Sequence, residues 1–204
     1  MKLLHIDSSI LGGFSVSRQL SSGIVAKLRE TVPGLEIVYR DLAAEPPPHL
    51  SGFEFGARQP GSPAPSPAAQ ADLAVSAEIL EEFLNADIVV LGAPMYNLGV
   101  SSQLKAWIDR VVIAGKTFRY SESGPEGLAG GKRLIIASSR GGVFSEGAPA
   151  AAFDHQESYL RAVFGLIGIR DIEIVRAEGL SVGPELKIQA LKAAEDEIAN
   201  LKAA

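Results

Sequence analysis

Residues 86–98 read ADIVVLGAPMYNL. From Ala86 to Ala93 the run is apolar apart from Asp87, is rich in β-branched residues and shows no alternation. A short, unbroken apolar run of this kind predicts a strand covered on both faces, because a sheet with one wet face would place a polar residue at every second position. Pro94 cannot donate to a ladder and pushes Ala93 to an extended conformation. Met95, Tyr96, Asn97 and Leu98 are therefore expected in a turn beyond the strand's carboxyl end.

Similar units lie on either side. Upstream, Leu73, Ala77, Leu80 and Leu84 recur at helical spacing over residues 68–85. Further back, Leu3 to Asp7 reads as a first strand that runs into the loop SSILGGFSVS, after which Leu20, Ile24 and Leu28 mark a helix and residues 35–39 a second strand. Residues 41–67, crowded with Pro, Gly and Ser, read as a long irregular loop. Its length makes it either functional or disordered, with Phe53, Phe55 and Arg58 as its chemically useful side chains. Downstream, Leu104, Trp107, Ile108 and Val111 define a helix that begins near Ser101. A glycine-rich GPEGLAGGK leads to a strand at 133–138, a helix over 154–167, a strand at 171–175 and a helix from Pro184. Five strands alternating with five helices predict an α/β architecture over residues 1–204, a single domain whose parallel sheet has helices on both faces.

Composition narrows the chemistry. The chain is 204 residues long with a formal net charge of −5, and its basic residues are scattered, so it lacks the cationic stripe that neutralises a nucleic-acid backbone. With no cysteine, disulfides and thiolate chemistry are excluded, and His5, His49 and His155 have no metal-ligand spacing. Redox chemistry would need a bound organic cofactor. The first residues, MKLLHIDSSI, have no signal-like apolar core, and no run approaches the roughly 18 apolar residues of a membrane span, which predicts a soluble cytoplasmic protein.

Ligands of a doubly wound sheet bind beyond the carboxyl ends of its strands, so three loops are candidate sites. After strand one, Ser9, Ser15, Val16 and Ser17 place hydroxyls and the free N–H groups of a helix terminus where an anion could sit, without a Gly-x-Gly-x-x-Gly or Gly-Lys-Ser pattern. Helix capping by Ser15 or Ser17 alone is the plainer reading. After strand three, Met95, Tyr96, Asn97 and Leu98 suit the face and polar edge of a flat ring system, or simply terminate a strand. After strand four, Ser139, Arg140, Gly141 and Gly142 offer a hydroxyl, a charge and close backbone approach, or form an ordinary glycine turn.

Taken together, APMYN with SSQLKAWIDRV, AGKTFRYSESGPEGLAGGK, SSRGG and FGLIGIRDIEIVRAEG resemble the FMN-dependent NADH:azoreductase family, flavodoxin-like flavoproteins also described as NADH:quinone oxidoreductases. The likeness runs nearly the whole length and is weakest over residues 41–67. It implies a flavodoxin-like, doubly wound five-stranded parallel sheet of order 2-1-3-4-5. It further implies non-covalent FMN, one per subunit, with NADH as donor and a quinone or aromatic azo compound as acceptor in a ping-pong, two-electron cycle. By the resemblance, Ser9, Ser15, Val16 and Ser17 hold the FMN phosphate. Met95, Tyr96, Asn97 and Leu98 flank the isoalloxazine, and Ser139, Arg140, Gly141 and Gly142 close its pyrimidine side. The flavin N5 carries the chemistry, so no side chain is assigned as a catalytic acid; Asn97 and Tyr120 are candidates for orienting the acceptor. A homodimer with active sites at the interface is also implied, with Phe118, Tyr120 and Arg58, together with Phe53 and Phe55, as the candidate pocket wall. Leu98 stands where relatives often carry an aromatic residue, and Val16 where they often carry a polar one. The competing readings are a flavodoxin-type single-electron carrier and a non-catalytic flavin-binding protein.

Overall fold

A computed structural model describes residues 1–57 and 65–202. Its central sheet is parallel and five-stranded. β1 (Lys2–Asp7), β2 (Glu36–Asp41), β3 (Ile88–Pro94), β6 (Arg133–Ser139) and β7 (Asp171–Ala177) lie in the order β2-β1-β3-β6-β7. The expected order of 2-1-3-4-5 counted five strands in all, whereas two further strands intervene. β4 (Phe118–Ser121) and β5 (Gly124–Gly127) pair antiparallel with each other, outside the main sheet. The glycine-rich segment read as a connection is thus a hairpin. Its root is fixed by Gly127: a Cβ there would sit 2.2 Å from the backbone nitrogen of Gly168, so only glycine lets the two chains touch.

Strand alternation distributes the core over both faces. Leu4 and Ile6 of β1, Val89 and Leu91 of β3, and Leu134 and Ile136 of β6 pack on one side against α3 (Pro67–Asn85), α4 (Ser102–Val111) and α5 (Glu157–Leu166). Leu3, Ile88, Val90, Ile135 and Ala137 pack on the other against α1 (Val16–Thr31) and α6 (Pro184–Ala199). β3 is buried at every residue from Ile88 to Pro94, as its uninterrupted apolar run required. Pro94 remains in register opposite Ser139, and the next N–H, of Met95, donates to the Ser139 carbonyl at 2.8 Å. The strand can end on proline because the following residue resumes the bond that proline cannot make.

Two local expectations change. The 41–67 segment is not irregular throughout: β2 runs to Asp41 and a short helix α2 (Gly52–Ala57) lies within it, while Arg58 lies outside the described residues. Helix α3 is where periodicity placed it, but it buries Ser76, Ile79 and Phe83, not the stripe of Leu73, Ala77, Leu80 and Leu84. The helix carries two apolar stripes, and the one with the bulkier Ile79 and Phe83 faces the core, with Phe83 edge-on to Trp107 at 5.8 Å. No helix among the described residues is long and apolar enough to cross a membrane.

Candidate functional site

The loops after β1, β3 and β6 emerge from three adjacent strands, at the edge where the chain order reverses between β1 and β3. A large open concavity of about 1010 Å³ lies at the opposite edge, between Arg133, Asp171, Asp196 and Lys202. That edge begins at the first residues of β6 and β7, Arg133 and Asp171, whereas ligands of such a sheet bind at the carboxyl ends.

In the first loop Ser15 is the N-cap of α1, its hydroxyl accepting from the Arg18 N–H at 3.3 Å. The capping reading therefore holds for Ser15. It does not use up the terminus: Val16 and Ser17 occupy the first two helical positions, where an N–H has no intrahelical acceptor. Ser15 Oγ and Ser17 Oγ are 3.1 Å apart, and both residues are buried. Ser9 Oγ lies 3.0 Å from the Tyr96 hydroxyl, which also accepts from the Ile10 N–H at 3.3 Å. Tyr96 thus joins the first loop to the second through its hydroxyl, a link absent from the linear sequence.

The second loop is a tight turn in which Tyr96 and Gly99 exchange both backbone hydrogen bonds, 2.9 and 3.0 Å long. Between them Asn97 and Leu98 have φ of 47° and 70°. Asparagine tolerates this left-handed region, but for leucine it is strained. Both side chains are exposed, and the Leu98 carbonyl accepts from the His155 N–H at 3.1 Å. Met95 is half-buried.

In the third loop Ser139 ends β6 and is buried. The Arg140 guanidinium turns inward rather than toward the strand-end surface. It is fully buried, donates to Asp154 at 2.9 Å and contacts Glu157, with Glu178 3.6 Å away. Arg140 consequently offers the site its main chain, not its charge. Gln156, which no motif singled out, binds the Ala93 carbonyl at 2.6 Å and accepts from Arg140 Nε at 3.2 Å, so it stitches the ends of β3 and β6 to α5. The carbonyls of Gly141 and Gly142 accept from Ser181 and Gly179 at 2.9 and 2.8 Å, and their N–H groups make no hydrogen bond among the described residues. Glu178 ties down the rest of this loop through the Phe144 and Ser145 N–H groups. Burial pushes its carboxyl up, but the Ser145 hydroxyl, the Phe144 N–H and the arginines beside it outweigh that and leave it below the usual range.

Of the wall candidates, Tyr120 is 77% exposed while Phe118, edge-on to it at 5.4 Å, belongs to the core. Phe53 and Phe55 are exposed on α2. The first loop adds exposed Ile10, Leu11 and Phe14, the last 95% exposed, an apolar cluster that the hydrophobic residues of a loop sequence could have flagged. His5 is a hydrogen-bonded buried residue, bound to Ser21 Oγ at 3.0 Å.

The fold and this edge define a doubly wound α/β protein with an anion-receptive helix terminus beside an apolar, donor-bearing shelf. The chain belongs to the Flavodoxin_2 family, the flavodoxin-like fold, whose model matches residues 1–201. It is 65% identical over 204 residues, the full length of both chains, to an FMN-dependent NADH:quinone oxidoreductase of Methylocella silvestris. It is 56% identical, again over the full length of both, to FMN-dependent NADH:quinone oxidoreductase 2 of Bradyrhizobium diazoefficiens. Among solved structures it is similar to the azoreductase of Bacillus anthracis str. Sterne, with a TM-score of 0.89 and 30% identity over 98% of this chain and 97% of that one. An FMN-dependent NADH-azoreductase of Bacillus anthracis str. Ames Ancestor, solved in complex with FMN, gives a TM-score of 0.86 at 26% identity, covering 97% of each chain.

Proposed function

We propose that this chain is an FMN-dependent NADH oxidoreductase that reduces quinones and cleaves aromatic azo compounds, acting as a single flavodoxin-like domain over residues 1–204. The observation that carries the reading is full-length 65% identity to a relative of that name, joined to a strand-end site whose donors suit FMN. The fit rests on donor chemistry. A phosphate dianion needs N–H and O–H donors, and the Val16 and Ser17 N–H groups with the hydroxyls of Ser9, Ser15 and Ser17 supply them at the positive end of α1.

Bound FMN would supply the two-electron chemistry, taking hydride from NADH and passing it to the acceptor in alternating half-reactions. The chain's own residues bind and orient. Met95, Tyr96 and Leu98 present apolar surface to a ring, and Asn97 presents its amide to the ring's edge. The unused N–H groups of Gly141 and Gly142 suit the ring's pyrimidine oxygens, where donors stabilise negative charge. Asn97 and Tyr120 orient the acceptor, whose protons come from water. The exposed Ile10, Leu11, Phe14 and Tyr120 suit the interface of a cytoplasmic homodimer in which each subunit walls the other's site.

The test is an absorbance spectrum of purified protein with FMN, followed by anaerobic titration with NADH and re-oxidation by benzoquinone. Flavin bands bleached in one two-electron step and restored by quinone are expected. Accumulation of a one-electron species would favour a carrier, and bound FMN that NADH leaves oxidised would favour a non-catalytic flavin protein.

A further inference from the structure

Arg18 occupies the third position of α1, where a cation opposes the helix dipole, and it lies beside the terminus proposed to hold phosphate. Such an arginine would ordinarily be read as the phosphate's counter-ion. The geometry points elsewhere. A guanidinium has five N–H donors, and here all five are engaged within the protein. Nη1 donates to Asp41 at 2.7 Å and to the Tyr39 hydroxyl at 3.2 Å. Nη2 donates to Asp41 at 2.6 Å and to the Ser9 carbonyl at 2.8 Å, and Nε donates to that same carbonyl at 3.2 Å. Asp7, buried and 3.6 Å from Nη1, adds a second carboxylate. Asp7 is itself held by Ser21 Oγ at 2.8 Å and Tyr39 at 3.1 Å, over a Gly92 whose Cβ would fall 2.4 Å from its oxygen.

The consequence follows from the planarity of the peptide. With the Ser9 carbonyl held by two donors of Arg18, the N–H of Ile10 across the same trans peptide must point the opposite way, and it does, toward the Tyr96 hydroxyl. The Ser9 hydroxyl lies against the same tyrosine. We propose that Arg18, locked by Asp41, is a positioning residue: it sets the Ser9–Ile10 peptide, whose N–H is held by Tyr96, and thereby places the Ser9 hydroxyl that receives the phosphate, without touching the phosphate itself. This rests on the FMN reading above and adds to it how the phosphate loop is preorganised.

Arg18→Lys keeps the charge and loses the fork, and Asp41→Asn keeps Arg18 and loosens its lock. Dissociation constants of FMN and of riboflavin, which lacks the phosphate, are measured on the full-length protein by quenching of flavin fluorescence. Both variants are expected to weaken FMN by about tenfold to hundredfold, the equivalent of one or two charge-assisted hydrogen bonds, and to leave riboflavin within about twofold. The two roles of Arg18 predict opposite signs for Asp41→Asn. A counter-ion freed from its carboxylate would bind FMN more tightly, and that result overturns the proposal. FMN and riboflavin affinities that fall together, or that do not move, overturn it as well. Wild-type protein that holds no FMN removes the cofactor reading and this inference with it, whereas wild-type binding with non-discriminating variants removes this inference alone.

Discussion

Leu98 shows how a single residue can sit against its own backbone preference. A leucine at φ 70° in a two-residue turn costs about 1–2 kcal/mol relative to the right-handed region, where glycine would cost little. Its side chain is exposed, so no core contact compensates for the strain. The strain makes sense if the side chain's contact is with a ligand. Leu98→Gly is accordingly expected to raise stability by about 0.5–1 kcal/mol in urea unfolding, after allowing for the greater freedom of glycine in the unfolded chain. The same change should lower kcat/KM for NADH-dependent quinone reduction by about tenfold, the value of one lost apolar contact. A variant that gains stability and keeps full activity would show the strain to be unconnected with the site. The sequence put Asn97 and Leu98 in a turn, since Pro94 and Asn97 are turn chemistry, but it carried no sign that Arg140 would turn inward. Arginine near a glycine pair reads as a surface charge until Asp154, Glu157 and Glu178 are brought around it from two other elements.

At the scale of elements, the connections differ most from expectation. Helix α2 is fastened by Arg110, a fully buried side chain of α4 that binds the Pro48 carbonyl at 2.7 Å and Asp72 of α3 at 2.8 Å, contacts Ser76 and lies 3.4 Å from Glu54 of α2. Removing one partner of such a cluster leaves buried carboxylate behind, so Arg110→Ala should cost about 3–5 kcal/mol of stability. Urea denaturation measures the loss, and native-state amide exchange should place the largest drop in protection over residues 52–57, the elements the arginine joins being the first to open. Uniform loss of protection across the sheet would instead make Arg110 a general core residue. None of this was readable from the linear chain: Pro46 to Pro48 and the serines that follow signalled a loop, whereas the helix is held by a residue more than fifty positions away. The βαβ rhythm, in contrast, was legible, because helix and strand periods differ and β3 is too apolar to be anything but interior.

For the molecule as a whole, stability at low pH should follow the carboxylates of the strand-end networks. Arg18 holds the Asp41 carboxyl below its usual value near 3.8, assisted by the Ala43 and Ala44 N–H groups against a smaller opposing effect of burial. Burial pushes Asp7 up, but the hydrogen bonds and charge of His5 with the Ser21 and Tyr39 hydroxyls bring it below 3.8, and Glu178 lies below 4.5. A carboxyl depressed in the folded state stabilises it fully above the unfolded value and ceases to do so as pH falls through the folded one. Tm should therefore stay level from pH 7 down to about 5 and fall steadily below about 4, with Asp41→Asn making the acid limb shallower. An acid limb unchanged by that substitution would assign acid sensitivity to other groups.

The sequence by itself determined the class of sheet, the burial of β3, the helices α1 and α4 with their core faces, and the three loops at which a ligand is bound in such folds. These depend on local periodicity and on residues, Gly, Pro, Ser and Asn, whose conformational habits act within a few positions. Tertiary structure decided the strand order as numbered through the β4–β5 hairpin, the face of α3 that meets the core, and the direction of three inward-turned arginines. Arg18, Arg110 and Arg140 each choose partners from at least two other segments. A charge finds its counter-charge through space, and the desolvation that forces the pairing exists only once the chain has closed around it.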